Sequence, residues 1–177
     1  DSSACECCRI DVYTDNSENI FIAYRGLNKG KMGKQIRDMM IATSADQGSS
    51  FSSPVTISAD NWNIEGCPHT GPSLCGNKAG LFSLWYTEGM GAGIYYAQKS
   101  QAEKEFSERQ LVSSEGRHPQ LCANDDRIAM IWEENINVKN ENPKTVIRYH
   151  VVKDGVYIQK NTLTPTDANA LVPVVTQ

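Results

Sequence analysis

An internal repeat limits the possible folds of this chain more than any other feature. Pro72-Ser-Leu-Cys-Gly-Asn77 returns as Pro119-Gln-Leu-Cys-Ala-Asn124, and each copy precedes a short turn and an apolar run with a tryptophan. A weaker copy lies upstream, where residues 12–16 precede the run 20–24. Repetition at a fixed spacing predicts consecutive copies of one supersecondary unit. The same offset of 47 residues separates the prolines, cysteines and tryptophans of the two clear copies: Pro72 and Pro119, Cys75 and Cys122, Trp85 and Trp132.

The pattern of the repeated unit predicts β-structure. Short apolar runs alternate with turns rich in Gly, Asn and Asp, and no long segment carries an apolar stripe at helical spacing. A period of roughly 40–50 residues is that of a four-stranded propeller blade. We therefore expect an all-β partial propeller over 1–177, with blades at about 5–58, 67–113 and 117–164 and the first strand of a next blade at 167–177. The expected strands lie near 19–25, 38–43, 54–58, 81–87, 93–97, 127–133, 145–151 and 156–159.

One turn carries a family resemblance. Ser44-Ala-Asp46-Gln-Gly48-Ser-Ser-Phe51 fits the pattern Ser-x-Asp-x-Gly-x-x-aromatic between two apolar runs. Asp46 is suited to accept hydrogen bonds from its own loop, and Gly48 to adopt a positive φ. The segment resembles the Asp-box, or bacterial neuraminidase repeat, of sialidase-type propellers. That resemblance implies a structural turn joining the third and fourth strands of a blade, with Phe51 filling the space between strands.

Sialidase-like propellers have six blades, so about three blades amount to half of such a ring. Three blades leave two open sheet edges, which soluble proteins avoid. We expect the ring to be completed by the remaining blades of a longer chain, or by a second copy.

Charge and cysteine content restrict the partners and the compartment. The net charge is −4 and no basic run occurs, so nucleic acid is not an expected partner. No apolar run reaches the roughly 18–20 residues of a membrane span. Six cysteines are many for 177 residues, and the even count predicts three disulfides in a secreted, periplasmic or cell-surface protein. One bridge should join the Cys5-Glu-Cys-Cys8 cluster to Cys67 or Cys75.

The resemblance implies glycan recognition or hydrolysis on the channel face. Sialidases hold the substrate carboxylate with three arginines, and Arg117-His-Pro119 resembles their Arg-x-Pro motif. A third arginine and a tyrosine nucleophile are not assigned, so the catalytic set of an exo-sialidase-like glycoside hydrolase is incomplete in this chain. The candidate catalytic residues are Arg9, Arg117, Asp60 and Glu65, and the candidate ligand contacts are Trp62 and His118.

The same region supports two other hypotheses. Cys5, Cys7 and His69 supply the soft ligands that copper or zinc prefers, and they converge if the innermost strands meet at one channel mouth. Alternatively, the cysteines only staple a non-catalytic binding propeller whose loops bind a glycan, a small molecule or a protein.

Overall fold

The computed structural model describes residues 3–30, 33–138 and 142–176, and within them the chain is all-β with no α-helix. Three four-stranded antiparallel sheets follow one another along the chain, in the strand orders β1-β2-β5-β6, β7-β8-β9-β10 and β11-β12-β13-β14. A two-stranded ribbon, β3-β4, extends from the first sheet. The strands are β1 Asp11–Thr14, β2 Ile20–Arg25, β3 Asn28–Lys29, β4 Gln35–Ile36, β5 Met39–Ser44, β6 Val55–Ser58, β7 Ser73–Asn77, β8 Gly80–Thr87, β9 Gly93–Ser100, β10 Gln110–Ser113, β11 Gly116–Ala123, β12 Arg127–Ile136, β13 Lys144–Lys153 and β14 Val156–Thr162.

The second sheet is buried on both faces. Every residue of β8 is buried, and its side chains alternate between two apolar clusters. Leu81 and Trp85 face the first sheet, whereas Phe82, Leu84 and Tyr86 face the third. This alternation is what a strand between two packed layers requires, because successive side chains point to opposite faces. The first and third sheets therefore depend on the second for the largest part of their cores.

The first strands of the three sheets lie side by side. In β1, the Asp11 carboxylate accepts hydrogen bonds from the Leu74 N–H at 2.8 Å and from the Ser73 hydroxyl at 3.1 Å. The same hydroxyl accepts a hydrogen bond from the Leu121 N–H of β11 at 3.1 Å. Ser73 thus joins β1, β7 and β11, and the later strands of each sheet extend away from this junction.

The turn that resembles an Asp-box is the hairpin between β5 and β6. The Asp46 carboxylate accepts hydrogen bonds from the Ser50 N–H (2.8 Å) and hydroxyl (2.6 Å) and from the Ser44 hydroxyl (2.7 Å). These bonds lower the pKa of Asp46 to about 2. Gly48 has a φ of 89°, as its place in the turn requires. Phe51, however, is 43% exposed, so the expectation that it fills the space between strands is wrong.

The tail differs from the sequence-based expectation. Residues 167–176 contain no strand, because no strand of the described chain runs beside them. The segment instead crosses the third sheet, through hydrogen bonds from the Ala170 N–H to the Thr145 carbonyl and from the Val172 N–H to the Glu133 carboxylate, both 2.8 Å. In the described residues we find no helix that is long and apolar enough to cross a membrane.

The junction of first strands makes a testable prediction for Ser73→Ala. The Ser73 side chain is buried, so the variant leaves the Leu121 N–H without an acceptor, and we expect a loss of about 1–3 kcal/mol in the free energy of unfolding. Urea denaturation measures it. Ser114→Ala, at an exposed position, is the matched control, and equal stability of the two variants would contradict the role of Ser73.

Candidate metal centre

The segment 59–72 leads from β6 to β7 by crossing the end of the first sheet. The Trp62 carbonyl accepts a hydrogen bond from the Arg37 N–H at 2.9 Å, and the Asp38 carboxylate accepts bonds from the Asn61 and Trp62 N–H groups at 3.0 and 3.1 Å. At Gly71 the segment passes so close to the chain start that an added Cβ would lie 1.9 Å from the Arg9 carbonyl oxygen. The crossing therefore brings Cys67 against the N-terminal residues.

The N-terminal cysteines lie in a turn that precedes β1. The Cys5 N–H donates to the Arg25 carbonyl at 2.8 Å, which fixes the turn against β2. The turn places Cys5, Cys7 and Cys8 around Cys67, with all four sulfur atoms within 4.8 Å of one another. We call these four residues the cysteine cluster. Cys7 and Cys67 form a disulfide, while Cys5 and Cys8 are free, buried thiols.

The spacing of the sulfur atoms matches a tetrahedral metal site. A zinc–sulfur bond of about 2.3 Å places the sulfurs of such a site about 3.8 Å apart. In the cluster, Cys5 Sγ lies 3.5 Å from Cys8 Sγ, 3.7 Å from Cys67 Sγ and 3.8 Å from Cys7 Sγ, and Cys8 Sγ lies 3.6 Å from Cys67 Sγ. The Cys7–Cys67 disulfide departs strongly from this geometry, and the remaining edge, from Cys7 to Cys8, is within 4.8 Å. The donor set and its spacing therefore fit a four-thiolate site.

Two guanidinium groups supply positive charge to the cluster. Arg37 Nη1 donates to Cys5 Sγ at 3.1 Å, and Arg37 Nε is buried without a hydrogen-bond partner in the part of the chain that the structure describes. Burial raises the pKa of the Cys8 thiol, as does its hydrogen bond with Cys5, while the charge of Arg25 acts in the opposite direction. Both arginines favour additional negative charge on the sulfurs.

The predicted ligand set is only partly brought together. Cys5 and Cys7 belong to the cluster, but His69 is exposed and lies outside it. His69 adopts a φ of 50°, in a segment that is not yet a strand. Cys8 and Cys67 take its place. The sequence does not point to Cys8 as a candidate ligand, because in an extended segment the adjacent side chains of Cys7 and Cys8 would point to opposite faces.

One of the two disulfide predictions is confirmed and the other is wrong. A bridge from the N-terminal cysteines to Cys67 is confirmed, since Cys7 forms it. The expected total of three disulfides is wrong, because Cys75 and Cys122 are also free.

Two of the proposed glycan-binding residues, Asp60 and Trp62, are buried, and Arg9, although exposed, is hydrogen-bonded to two backbone carbonyls. Arg9, which precedes β1, donates to the Pro119 carbonyl of β11 at 2.9 Å and to the Pro72 carbonyl just before β7 at 3.1 Å, so it ties the start of the first sheet to the other two. Asp60 is 1% exposed and accepts hydrogen bonds from Trp85 Nε1 and Arg109 Nη1, both at 2.8 Å. Trp62 is buried beneath the Arg25 guanidinium, whose central carbon lies 4.7 Å from the centroid of the Trp62 ring. Asp60 is therefore a structural carboxylate, Trp62 is 5% exposed, and Glu65 is exposed on the crossing segment.

Arg117 and His118 line a small cavity of about 200 Å³. The Arg117 guanidinium lies 4.2 Å from the Tyr86 ring centroid, and His118 Nδ1 lies 2.6 Å from Glu133 Oε1. The Tyr86 hydroxyl donates to Glu88 at 2.6 Å. Burial, followed by this hydrogen bond, raises the pKa of Tyr86 to about 12. The full lining is Trp62, Ile64, Pro68, Thr70, Tyr86, Glu88, Arg117 and His118.

The comparisons give no relative for this chain: no protein-family model and no curated protein matches it.

The cysteine assignments predict a pattern of alkylation. In the native, unreduced protein we expect one linked peptide pair, Cys7 with Cys67, and faster reaction of iodoacetamide with Cys122 than with Cys75. Cys75 is 8% exposed and burial raises its pKa well above the usual thiol range, whereas Cys122 is partly exposed. Peptide mass mapping measures both results. The two thiols should react alike in denaturant, and similar rates in the native protein would contradict the assignment.

Proposed function

We propose that this chain binds one thiophilic metal ion, zinc or monovalent copper, through Cys5, Cys7, Cys8 and Cys67 when all four cysteines are reduced. The observation that carries the proposal is the spacing of the sulfurs: the Cys5 and Cys8 sulfurs already lie at the separations of a tetrahedral thiolate site from each other and from Cys67. Two neighbouring arginines offset part of the charge that four thiolates bring.

The ligand set also indicates the kind of role. Four protein sulfurs fill a tetrahedral shell, as in structural zinc sites, whereas catalytic zinc sites keep one position for water or substrate. A bound ion would cross-link the N-terminal turn to the crossing segment, 59–72. This arrangement favours a structural metal site that cross-links two segments over a site that turns over a substrate.

The surrounding fold is proposed to be part of a sialidase-type propeller outside the cytoplasm. Support comes from the three consecutive four-stranded meanders, the junction of β1, β7 and β11, and the crossing segment that returns from the last strand of one sheet to the first strand of the next. The Ser44–Asp46 turn between β5 and β6 agrees with the resemblance. A disulfide that is partly open to solvent suits an oxidising compartment.

Metal uptake by the reduced chain tests the proposed function. After anaerobic reduction and removal of the reductant, we expect one zinc or copper ion per chain by native mass spectrometry. Cobalt(II) in the same site should give the visible absorption of tetrahedral thiolate coordination. A Cys5→Ser/Cys8→Ser variant removes two of the four ligands and should weaken binding by more than about 100-fold, because even outer-shell changes cost 10- to 100-fold.

Cys75→Ser/Cys122→Ser is the matched control, because it removes two free cysteines outside the cluster. It should bind as the parent does. Absence of uptake by the reduced parent, or equal uptake by the Cys5/Cys8 variant, would refute the metal centre.

Glycan recognition is a second candidate, and the cavity beside Arg117 is the observation that favours it. A guanidinium group is well shaped to pair with a sugar carboxylate, and the Tyr86–Glu88 pair lies in the same cavity. The volume suits one small anionic group better than an extended oligosaccharide, since typical ligand pockets hold about 300–1,000 Å³.

Arg117→Ala tests the second candidate in the protein that carries this chain. We expect the variant to bind a sialoside panel roughly 10- to 100-fold more weakly, since a hydrogen bond to a charged group contributes about 1.5–3 kcal/mol. Arg127→Ala, which removes a largely exposed guanidinium on another part of the surface, is the control. Absence of binding and turnover by the parent protein would exclude the glycan function.

A further inference from the structure

We propose that the Cys7–Cys67 disulfide is a reversible redox switch that decides whether the cysteine cluster holds a metal ion, with a small thiol or dithiol as the reductant. This inference rests on the proposed metal-binding function and adds its regulation. The structure contains the disulfide and two free thiols in one site, which is the composition that such a switch needs.

The positions of the four cysteines divide the cluster into an outer and an inner pair. Cys7 is exposed and Cys67 is half-buried, so the disulfide can be reached from solvent, whereas Cys5 and Cys8 are buried behind it. Thiol–disulfide exchange requires the attacking thiolate to reach one sulfur of the bond. An external thiolate can reach Cys7 Sγ directly.

The inner pair provides an exchange route within the cluster. Cys8 Sγ lies 3.6 Å and Cys5 Sγ 3.7 Å from Cys67 Sγ. Once the Cys8 thiol has given its proton to solvent, its sulfur can attack Cys67, which forms a Cys8–Cys67 bond and expels the Cys7 thiolate; Cys7 then takes up a proton, with no net oxidation or reduction. The disulfide can therefore move inward, and the exposed Cys7 thiol becomes the group that exchanges with external disulfides.

The complete switch balances in two steps. Two external thiols, RSH, reduce Cys7–Cys67 to two cysteine thiols and are themselves oxidised to RSSR, so two electrons and two protons pass to the protein. The four cysteine thiols then bind one divalent ion and release four protons. The reverse step begins when the Cys7 or Cys67 thiolate attacks an external disulfide, RSSR. The Cys7–Cys67 bond then forms again, two RSH are released, and the ion loses two of its four ligands.

Little movement separates the two states. The contacts that Cys5 and Cys8 make across the cluster, 3.5–3.8 Å, already match the edges of a tetrahedral thiolate site. The turn and the crossing segment are joined by the disulfide in one state and by the metal in the other. Reduction thus doubles the number of ligands while the cross-link between these two segments is kept.

Zinc binding at controlled thiol–disulfide ratios tests the switch. The protein is equilibrated anaerobically in buffers of reduced and oxidised dithiothreitol, separated from the buffer, and titrated with zinc alone. We expect the apparent zinc affinity to rise more than about 100-fold between the oxidised and reduced forms, in parallel with loss of the Cys7–Cys67 peptide pair by mass mapping.

Two variants make the outcome decisive. Cys7→Ser/Cys67→Ser keeps only the inner pair, so its zinc affinity should stay at the low level of the oxidised parent at every ratio. Cys75→Ser/Cys122→Ser should follow the parent. Equal zinc affinity of both parent forms would overturn the switch and leave the metal centre standing, whereas no binding by either form would refute the proposed function as well.

Discussion

The buried guanidinium of Arg25 is the interaction on which the arrangement around the site depends. Arg25 is 1% exposed and donates to three backbone carbonyls: Thr70 on the crossing segment, Arg37 after β4, and Tyr86 in β8. A hydrogen bond to a charged group contributes about 1.5–3 kcal/mol, so the guanidinium and the three segments that supply these carbonyls hold one another in place. One side chain of the first sheet thereby fixes the path of the crossing segment and the position of the second sheet.

The path of this segment has a chemical consequence. Thr70 is held by Arg25 only three residues after Cys67, and Gly71 lies against the Arg9 backbone. The sulfur of Cys67 is therefore placed by backbone contacts on its C-terminal side, independently of the bond it forms with Cys7. A cysteine positioned in this way can exchange one sulfur partner for another without displacing the strands, because the sheet contacts do not pass through the disulfide.

Much of the fold was predictable from the sequence, because the signals are local. The repeat around Cys75 and Cys122, apolar runs of strand length, and Gly- or Asp-rich turns indicate antiparallel meanders, and the three sheets use these runs. The tail is the exception: its described part, 167–176, forms no strand, since an apolar run forms a strand only where it pairs with another strand. The burial expected for Phe51 is wrong for a similar reason. The turn is encoded locally, but burial of the Phe51 side chain depends on what packs over it.

The cysteine cluster shows where such prediction ends. The sequence places three cysteines close together, but the fourth is 60 residues away from its disulfide partner. Its arrival depends on Arg25, Asp38 and Gly71, none of which carries a recognisable metal-binding pattern. Asp38 holds the start of the crossing segment through two N–H groups, and Gly71 allows its end to approach the N-terminal residues. The chemistry of the site is thus a consequence of how one sheet is connected to the next. For that reason the candidate ligands are recognised in the folded chain rather than in a spacing motif.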